Sequence, residues 1–586
     1  LIAASNRFRL SSRFRLPPAA ICALLLSIHA ILLGWSAAWN SATFDEPAHL
    51  AAGVEYWRHG DFSIYSLSPP LIRLIGAAIP VLVGAKAPSP KPFAVDPIVN
   101  RHWIYQNALV YDNLDHFAEY LLLARLSLIP VSLLAAWVTY RWASFLYGST
   151  AGLVACALYC FNPTILAHAS LMTTDAGCTA TMVLAAYLWW RYCQAPSAWR
   201  FAAVSAALVA ANLCKYTAVL LWPVMLVMAV PMLAAVGRER SRKILAGGIG
   251  AFFVTFLAIN ALYGFHGTGQ PMGSFDFQSS FMEHVQQKLP WHFPAPLPRT
   301  ILLGMDAQKQ DTEGGYQGFL FGELYRGSKW YYYPAALACK LPVAVLILGA
   351  LAIAVLAAGG LDRKSPGLPD ELAFMEALLI FSVGVLLLSD VNIGTRYLLP
   401  AFPLAAIFIS RLWSQRSPAP AASPKRSTLH WVRNILLALA CIEPLLVAPR
   451  FLTYINLAAG GPSNGWRLLA DSDFDWGQGL IDLRHWMQDN QVDRVWLAYY
   501  GLEDPAAYGV KYSVTPADNL QYTAISSSYL DGLSQRMTIS PTQRIPTFIA
   551  FHNALARKPP VAVVGNTIFI YHRQDVLAAA LEGNAP

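Results

Sequence analysis

The sequence predicts a mainly α-helical protein that crosses a membrane many times and ends in a small α/β tail. Three observations predict it. Of 586 residues, 56% are apolar and 13% charged, where a soluble globular chain carries about a quarter charged. The mean hydropathy is +0.41. Apolar runs close to the twenty residues a bilayer requires recur to about residue 449. Beyond that point the pattern changes to short alternating stretches.

The first run, about 17–38, follows Arg7, Arg9, Arg13 and Arg15 and lacks a small-residue cleavage site, so it reads as an uncleaved span. Ten more are expected near 119–140, 150–167, 175–191, 200–214, 217–236, 244–263, 333–357, 372–388, 396–412 and 432–449. The short connections that alternate with nearly charge-free turns hold Arg141, Arg191, Arg200, Arg238, Arg240, Arg242, Lys243, Arg363, Lys364, Arg411, Arg416, Lys425, Arg426 and Arg433. With positive loops inside, the N-terminus is cytoplasmic and, after eleven spans, the C-terminus outside.

Three larger pieces then share the outer face: 39–118, 264–330 and the tail from about 450. The expected division is a membrane domain over 1–449 and an extracytoplasmic α/β domain over 450–586, with a helix at 477–489 and strands at 493–500, 544–551 and 561–571. The apolar stretch 71–83 is too short to cross and is expected along the surface. Residues 415–428, rich in proline and serine, read as a linker. The net charge of +8 and pI near 9.0 fit basic cytoplasmic loops and anionic lipid. The eight cysteines form no CxxC pair and read as small buried apolar residues.

Chemistry concentrates just outside the first span, in TFDEPAHL (43–50). Pro47 suits a first helical turn, which places Asp45 and Glu46 at a helix N-terminus with His49 one turn later. Such a carboxylate serves as a general base, a cation ligand or a cap. Capping accounts for one acid; two adjacent acids point further. Asp175, in NPTILAHASLMTTDAG, returns to the same face with His168, and shares of a divalent cation among Asp175, His168 and His49 are one alternative. Arg125 lies inside the second span, where arginine marks an anion site or snorkels. Arg396, Lys215 and Lys340 sit near the outer ends of other spans, and guanidinium groups pair well with phosphate. Asp471, Asp473 and Asp475 alternate like a calcium loop, but Trp476 and Asp482 stand where an EF-hand needs Gly and Glu, so a cap and turn is expected. No Walker loop or G-x-G-x-x-G at a strand–helix junction is present, so no nucleotide cofactor is expected. Mid-membrane ionisable residues would argue for a transporter or flippase, the alternative from another class; here the candidates gather at the boundary.

TFDEPAHLAAGVEYWRHGDFSIYSLSPPLIRLIG resembles the first external loop of the phospholipid carrier-dependent glycosyltransferases of bacteria. These are membrane enzymes of the GT-C class, related to protein O-mannosyltransferases and the lipid A aminoarabinose transferase. LARL (123–126), NPTILAHASLMTTDA (162–176), KY (215–216), NIGTRYLLPAFP (392–403) and GGPSNGWRLLADSDFDWGQGL (460–480) extend the resemblance in order. Where many relatives read His or Asn before Pro-Pro-Leu, this chain has Ser68. The resemblance implies a GT-C bundle in a bacterial inner membrane, a polyprenyl-phosphate-linked sugar donor, a protein, lipid or glycan acceptor, and no nucleic acid. It implies Asp45 as base, Glu46 as its partner, Asp175 as a second acid, and Arg125 as an important second-span arginine. Arg125, Arg396, Lys215 and Lys340 are then expected on the donor phosphate.

Overall fold

A computed structural model describes residues 16–88, 101–313, 315–359, 367–388, 391–414, 424–514, 519–533, 554–555 and 557–583. The first helices are α1 (Pro18–Trp39), α2 (Glu46–His59), α3 (Leu71–Leu82), α4 (Arg101–Asp112), α5 (Phe117–Tyr147), α6 (Ser149–Cys160), α7 (Pro163–Ala169) and α8 (Thr174–Gln194). There follow α9 (Ala198–Asn212), α10 (Leu221–Ala234), α11 (Arg238–Leu262), α12 (Ser280–Lys288) and α13 (Arg299–Glu313). After a hairpin of β1 (Gln317–Leu320) and β2 (Glu323–Arg326) come α14 (Tyr332–Lys340), α15 (Val343–Gly359), α16 (Leu368–Leu388), α17 (Ala401–Ser410) and α18 (Pro424–Ile442).

Every stretch expected to span is helical. Five helices among the described residues are long and apolar enough to cross a bilayer, or up to seven if two bent pairs each count as one span. Several of the eleven expected spans fall short of that length and apolarity for physical reasons. Helix α9 has 15 residues and α17 has 10, while α8 carries Asp175, Thr174, Thr179 and Thr181 on its first turns. The expected span 333–357 is two helices, α14 and α15, bent by 117° where Pro342 interrupts the ladder. The pair α6 and α7 bends by 59° around Asn162-Pro163, and the Asn162 side chain caps α7 by accepting from the Thr164 and Ile165 amides.

Helices α2 and α3 pack against each other and both meet α5. A Cβ on Gly53 would lie 2.4 Å from the Arg73 carbonyl oxygen, so only glycine lets these backbones approach. Helix α3, expected along the surface, buries Ile72, Arg73, Gly76, Ala77 and Pro80 on one side and exposes Ile79 and Leu82 on the other.

The tail contributes α19 (Leu480–Asp489) and a five-stranded mixed sheet of order β4-β3-β5-β7-β6. Its strands are β3 (Val495–Ala498), β4 (Tyr512–Ser513), β5 (Tyr522–Ser526), β6 (Ala562–Val564) and β7 (Ile568–His572). Strands β4, β3 and β5 run parallel, while β7 is antiparallel to β5 and β6. The expected strand 561–571 is therefore a hairpin, because Gly565 and Asn566 both take positive φ and turn the chain. The expected strand 544–551 and most of the linker 415–428 lie outside the described residues. Residues 451–479, ahead of the sheet, belong to the helical core: Phe451, Leu452, Ile455, Phe474 and Trp476 pack with Tyr332, Ile165 and Leu398.

Behind this segment Glu503 is buried, with the Tyr499 hydroxyl 2.5 Å from its carboxyl. Burial pushes Glu503 up from 4.5 to about 8, a shift that the Tyr499 hydrogen bond opposes and the Glu46 charge adds to. The folded chain thus holds this proton more tightly than the unfolded chain. The stability it contributes is complete below about pH 4.5 and is lost as pH rises through about 8. Melting of the purified protein is expected to weaken across that window, and Glu503→Gln to flatten the slope; an unchanged slope in the variant would refute the assignment.

Candidate active site

The two acids at the head of α2 have opposite fates. Glu46 is fully buried. Its Oε2 accepts from the Thr43 amide (2.8 Å) and hydroxyl (2.9 Å), and its Oε1 from the Met172 amide (2.7 Å). Arg125 grips both oxygens, Nε to Oε1 at 2.8 Å and Nη2 to Oε2 at 2.6 Å. The other Arg125 donors go to the carbonyls of Ala37, Asn40 and Ser41. All five guanidinium donors are used. This corrects the expectation for Arg125: it is a strut tying α1, α2 and α5 together, with nothing left for a phosphate, and Glu46 is its counter-charge.

Asp45 makes no capping hydrogen bond, although its position favours one. It faces Arg396, whose Nη1 lies 2.9 Å from Oδ2. Its side chain is 24% exposed, against 3% for Asp175. Burial among protein atoms raises its affinity for a proton; Arg396 opposes that, and the nearby charges of Asp471 and Asp175 add to it.

The same Arg396 Nη1 lies 3.9 Å from Asp175 Oδ2, and Lys215 Nζ lies 2.5 Å from Asp175 Oδ1. Two carboxylates and two cations thus alternate as Asp45–Arg396–Asp175–Lys215. They come from α2, the turn before α17, the first turn of α8 and the turn after α9. Aromatic faces hold the cations: Arg396 lies 4.5 Å from the ring centre of Trp476 and 5.5 Å from that of Tyr397, and Lys215 lies 4.7 Å from Tyr397. The sequence marks neither ring as a cation partner, although Trp476 lies within the DWGQG stretch and Tyr397 follows Arg396.

The tail motif is what sets Arg396 in place. Gly394, at φ 145°, turns the chain so that Ser472 and Asp473 meet it. Asp473 accepts from the Thr395 amide (2.8 Å), the Thr395 hydroxyl (2.6 Å) and the Tyr332 hydroxyl (3.1 Å). Asp475 accepts from Ser526, Ser527 and the Ser528 amide, and Asp471 from Tyr500. The three alternating aspartates are separate clasps.

Lys340 also departs from expectation. It is buried, and its ammonium donates to the carbonyls of Leu452 (2.8 Å) and Asp473 (2.7 Å). It ties α14 to the tail segment and is closed to a phosphate. His49 stacks on Tyr65 at 4.9 Å, and Tyr65 lies under the Arg73 guanidinium at 4.1 Å. Arg73 in turn holds Ser68, through the Ser68 hydroxyl at 2.6 Å.

The divalent cation expected at Asp175, His168 and His49 fits poorly. Asp175 already meets Lys215 and Arg396, which bring positive charge where a metal would sit, and His49 turns to Tyr65. Among the described residues no three His, Cys, Asp or Glu side chains form a group able to hold a metal.

Residues 120–263 match the family model described as dolichyl-phosphate-mannose-protein mannosyltransferase. No curated protein matches the chain. Among solved structures, ArnT from Cupriavidus metallidurans bound to undecaprenyl phosphate is 12% identical, with 95% of this chain and 98% of that one covered and a TM-score of 0.44. The apo oligosaccharyltransferase of Archaeoglobus fulgidus is 12% identical over 88% of this chain and 70% of that one, at 0.46. The S. cerevisiae protein O-mannosyltransferase Pmt1-Pmt2 complex bound to the sugar donor is 16% identical over 43% of this chain and 34% of that one, at 0.32. The matched family and these structures are all GT-C glycosyltransferases, the class the sequence resembles.

Proposed function

We propose that this chain is an inverting glycosyltransferase that moves a sugar from a polyprenyl-phosphate donor to an acceptor hydroxyl. The observation that carries the reading is the alternating set Asp45–Arg396–Asp175–Lys215, in which the most exposed carboxylate is held by a cation of the kind that binds phosphate. The setting we propose is a bundle of about eleven spans in a bacterial inner membrane, N-terminus inside, with the site and the α/β tail on the outer face.

The donor brings its own leaving group, so no acid is needed to protonate it. Asp45 takes the proton of the acceptor hydroxyl as its oxygen attacks the anomeric carbon. The bond from that carbon to the phosphate oxygen breaks, and its electron pair leaves with the phosphate. Attack opposite the leaving group inverts the anomeric centre. Arg396 and Lys215 stabilise the departing charge. Arg396 serves two partners in this scheme. When phosphate draws the guanidinium from Asp45, the carboxylate loses the cation that weakens it as a base, at the moment a base is required. Asp175 keeps Lys215 and Arg396 aligned meanwhile.

Mass spectrometry of lipid and protein glycans in cells with and without the chain tests the reading. A glycan should disappear with the chain and return with the wild type. Flux of labelled lipid through vesicles of the purified chain with no sugar transferred would overturn it. Arg396→Lys keeps the charge but loses the planar fork; it is expected to raise the KM for donor roughly tenfold to a hundredfold, measured by donor titration, with Asp45 still present.

A further inference from the structure

The turn joining α7 to α8 holds polar groups that no described residue satisfies. His168, at the end of α7, is 1% exposed, and neither ring nitrogen has a hydrogen-bond partner. Thr173, which precedes α8, is 2% exposed, and its hydroxyl is likewise unpartnered. Buried polar groups in folded proteins are nearly always paired, so two neglected ones beside a reaction site point to a partner that the described residues do not supply. The edge of His168 meets Trp476, 6.1 Å between ring centres, the same indole that carries Arg396. His168 therefore shares a wall with the guanidinium proposed for the phosphate.

The chemistry of that partner follows from charge. Burial disfavours a charged His168 ring; Asp175 favours one, and Arg396, Lys340 and Lys215 oppose it. One carboxylate, already paired with Lys215, does not favour an imidazolium among three cations, so the ring is neutral. A neutral imidazole offers one donor and one acceptor, and the Thr173 hydroxyl offers both. The oxygens of an ionised phosphate only accept, and would leave the acceptor nitrogen of His168 unmet. Sugar hydroxyls both donate and accept.

We propose that His168, assisted by Thr173, positions the sugar of the donor by hydrogen bonding to its hydroxyl groups, while Arg396 and Lys215 hold the phosphate. The inference rests on the donor reading given above and divides that donor between two sets of residues. His168 is thereby a substrate-positioning and sugar-selecting residue.

The test is equilibrium binding of radiolabelled lipids to the full chain in nanodiscs. The probes are bare undecaprenyl phosphate and a panel of undecaprenyl-phosphate-linked neutral and amino sugars. The wild type should prefer at least one sugar-bearing lipid to the bare carrier. His168→Phe should weaken that lipid about tenfold or more and leave the bare carrier within about twofold, so that the preference vanishes. His168→Gln, which keeps a donor and an acceptor, should restore part of it. Thr173→Val should act in the same direction more weakly, and serves as the test if His168→Phe does not fold. Equal loss on both lipids would place His168 at the phosphate or in the scaffold and overturn the inference; so would no loss on either, which would leave the turn to ordered water. A wild type that binds the bare carrier and prefers no sugar overturns the inference while the phosphate reading stands. A wild type that binds neither lipid overturns the donor reading, and this inference with it.

Discussion

Asp45→Asn is expected to lower turnover by roughly 10²–10⁴-fold, the usual worth of a general base, without altering the melting of the protein. The second half of that expectation comes from geometry. Asp45 caps nothing, and its side-chain partner is Arg396 at 2.9 Å; an amide of the same shape keeps the site filled. Loss of rate with an unchanged KM for donor would mark a step made in the transition state. Full activity in the variant would remove Asp45 as the base. The pH profile gives an independent check. Burial raises the pKa of Asp45, with Arg396 opposing and Asp471 and Asp175 adding. The rate should therefore climb as pH rises through a limb above the ordinary carboxylate range, because the base acts when ionised. Replacing Arg396 by Gln should move that limb further up, since it removes the opposing cation. A limb at the ordinary position, unmoved by Arg396→Gln, would contradict the pairing.

Arg125→Met is expected to be worse for the protein than Asp45→Asn is, although it is remote from the proposed chemistry. The variant leaves Glu46 at the centre of the fold with no counter-charge, and removes hydrogen bonds to Ala37, Asn40 and Ser41. Breaking a buried ion pair from one side costs about 3–5 kcal/mol, a large part of the stability of any domain. Folded protein recovered in detergent should fall sharply. The double variant Arg125→Met with Glu46→Gln should recover part of it, because no buried charge is then stranded. If single and double variants accumulate equally, the coupling between the two residues is absent. If Arg125→Met folds normally and loses donor affinity alone, Arg125 is a phosphate ligand after all. Measuring yield, melting and donor affinity together separates these outcomes.

The contrast between Asp45 and Glu46 shows how far the residues could be read in one dimension. Pro47 after two acids predicts a helix start, and the helix begins at Glu46. Which acid is open and which is buried depends on Arg125, 79 residues away from Glu46, and on the Met172 amide. Periodicity carries no record of such partners. The same holds for the four basic candidates. The sequence places Lys215, Lys340 and Arg396 near outer span ends and Arg125 inside the second span, positions that both snorkelling and phosphate binding allow. The fold spends Arg125 and Lys340 on carbonyls and a carboxylate within the chain, and leaves Lys215 and Arg396 beside the two aspartates.

By itself the sequence determined the helical class, the stretches that become helices, and the resemblance to GT-C glycosyltransferases, because apolar run length and proline position act locally on the backbone. It also drew attention to TFDEPAHL and to Asp175. The tertiary structure decided that Asp45 and Asp175 share Arg396, that residues 451–479 join the helical core, that the run at 333–357 bends by 117°, and that His168 is left with two unmet nitrogens. Each of these turns on which distant groups satisfy a buried charge or hydrogen bond, and such pairing is settled only when the chain has closed on itself.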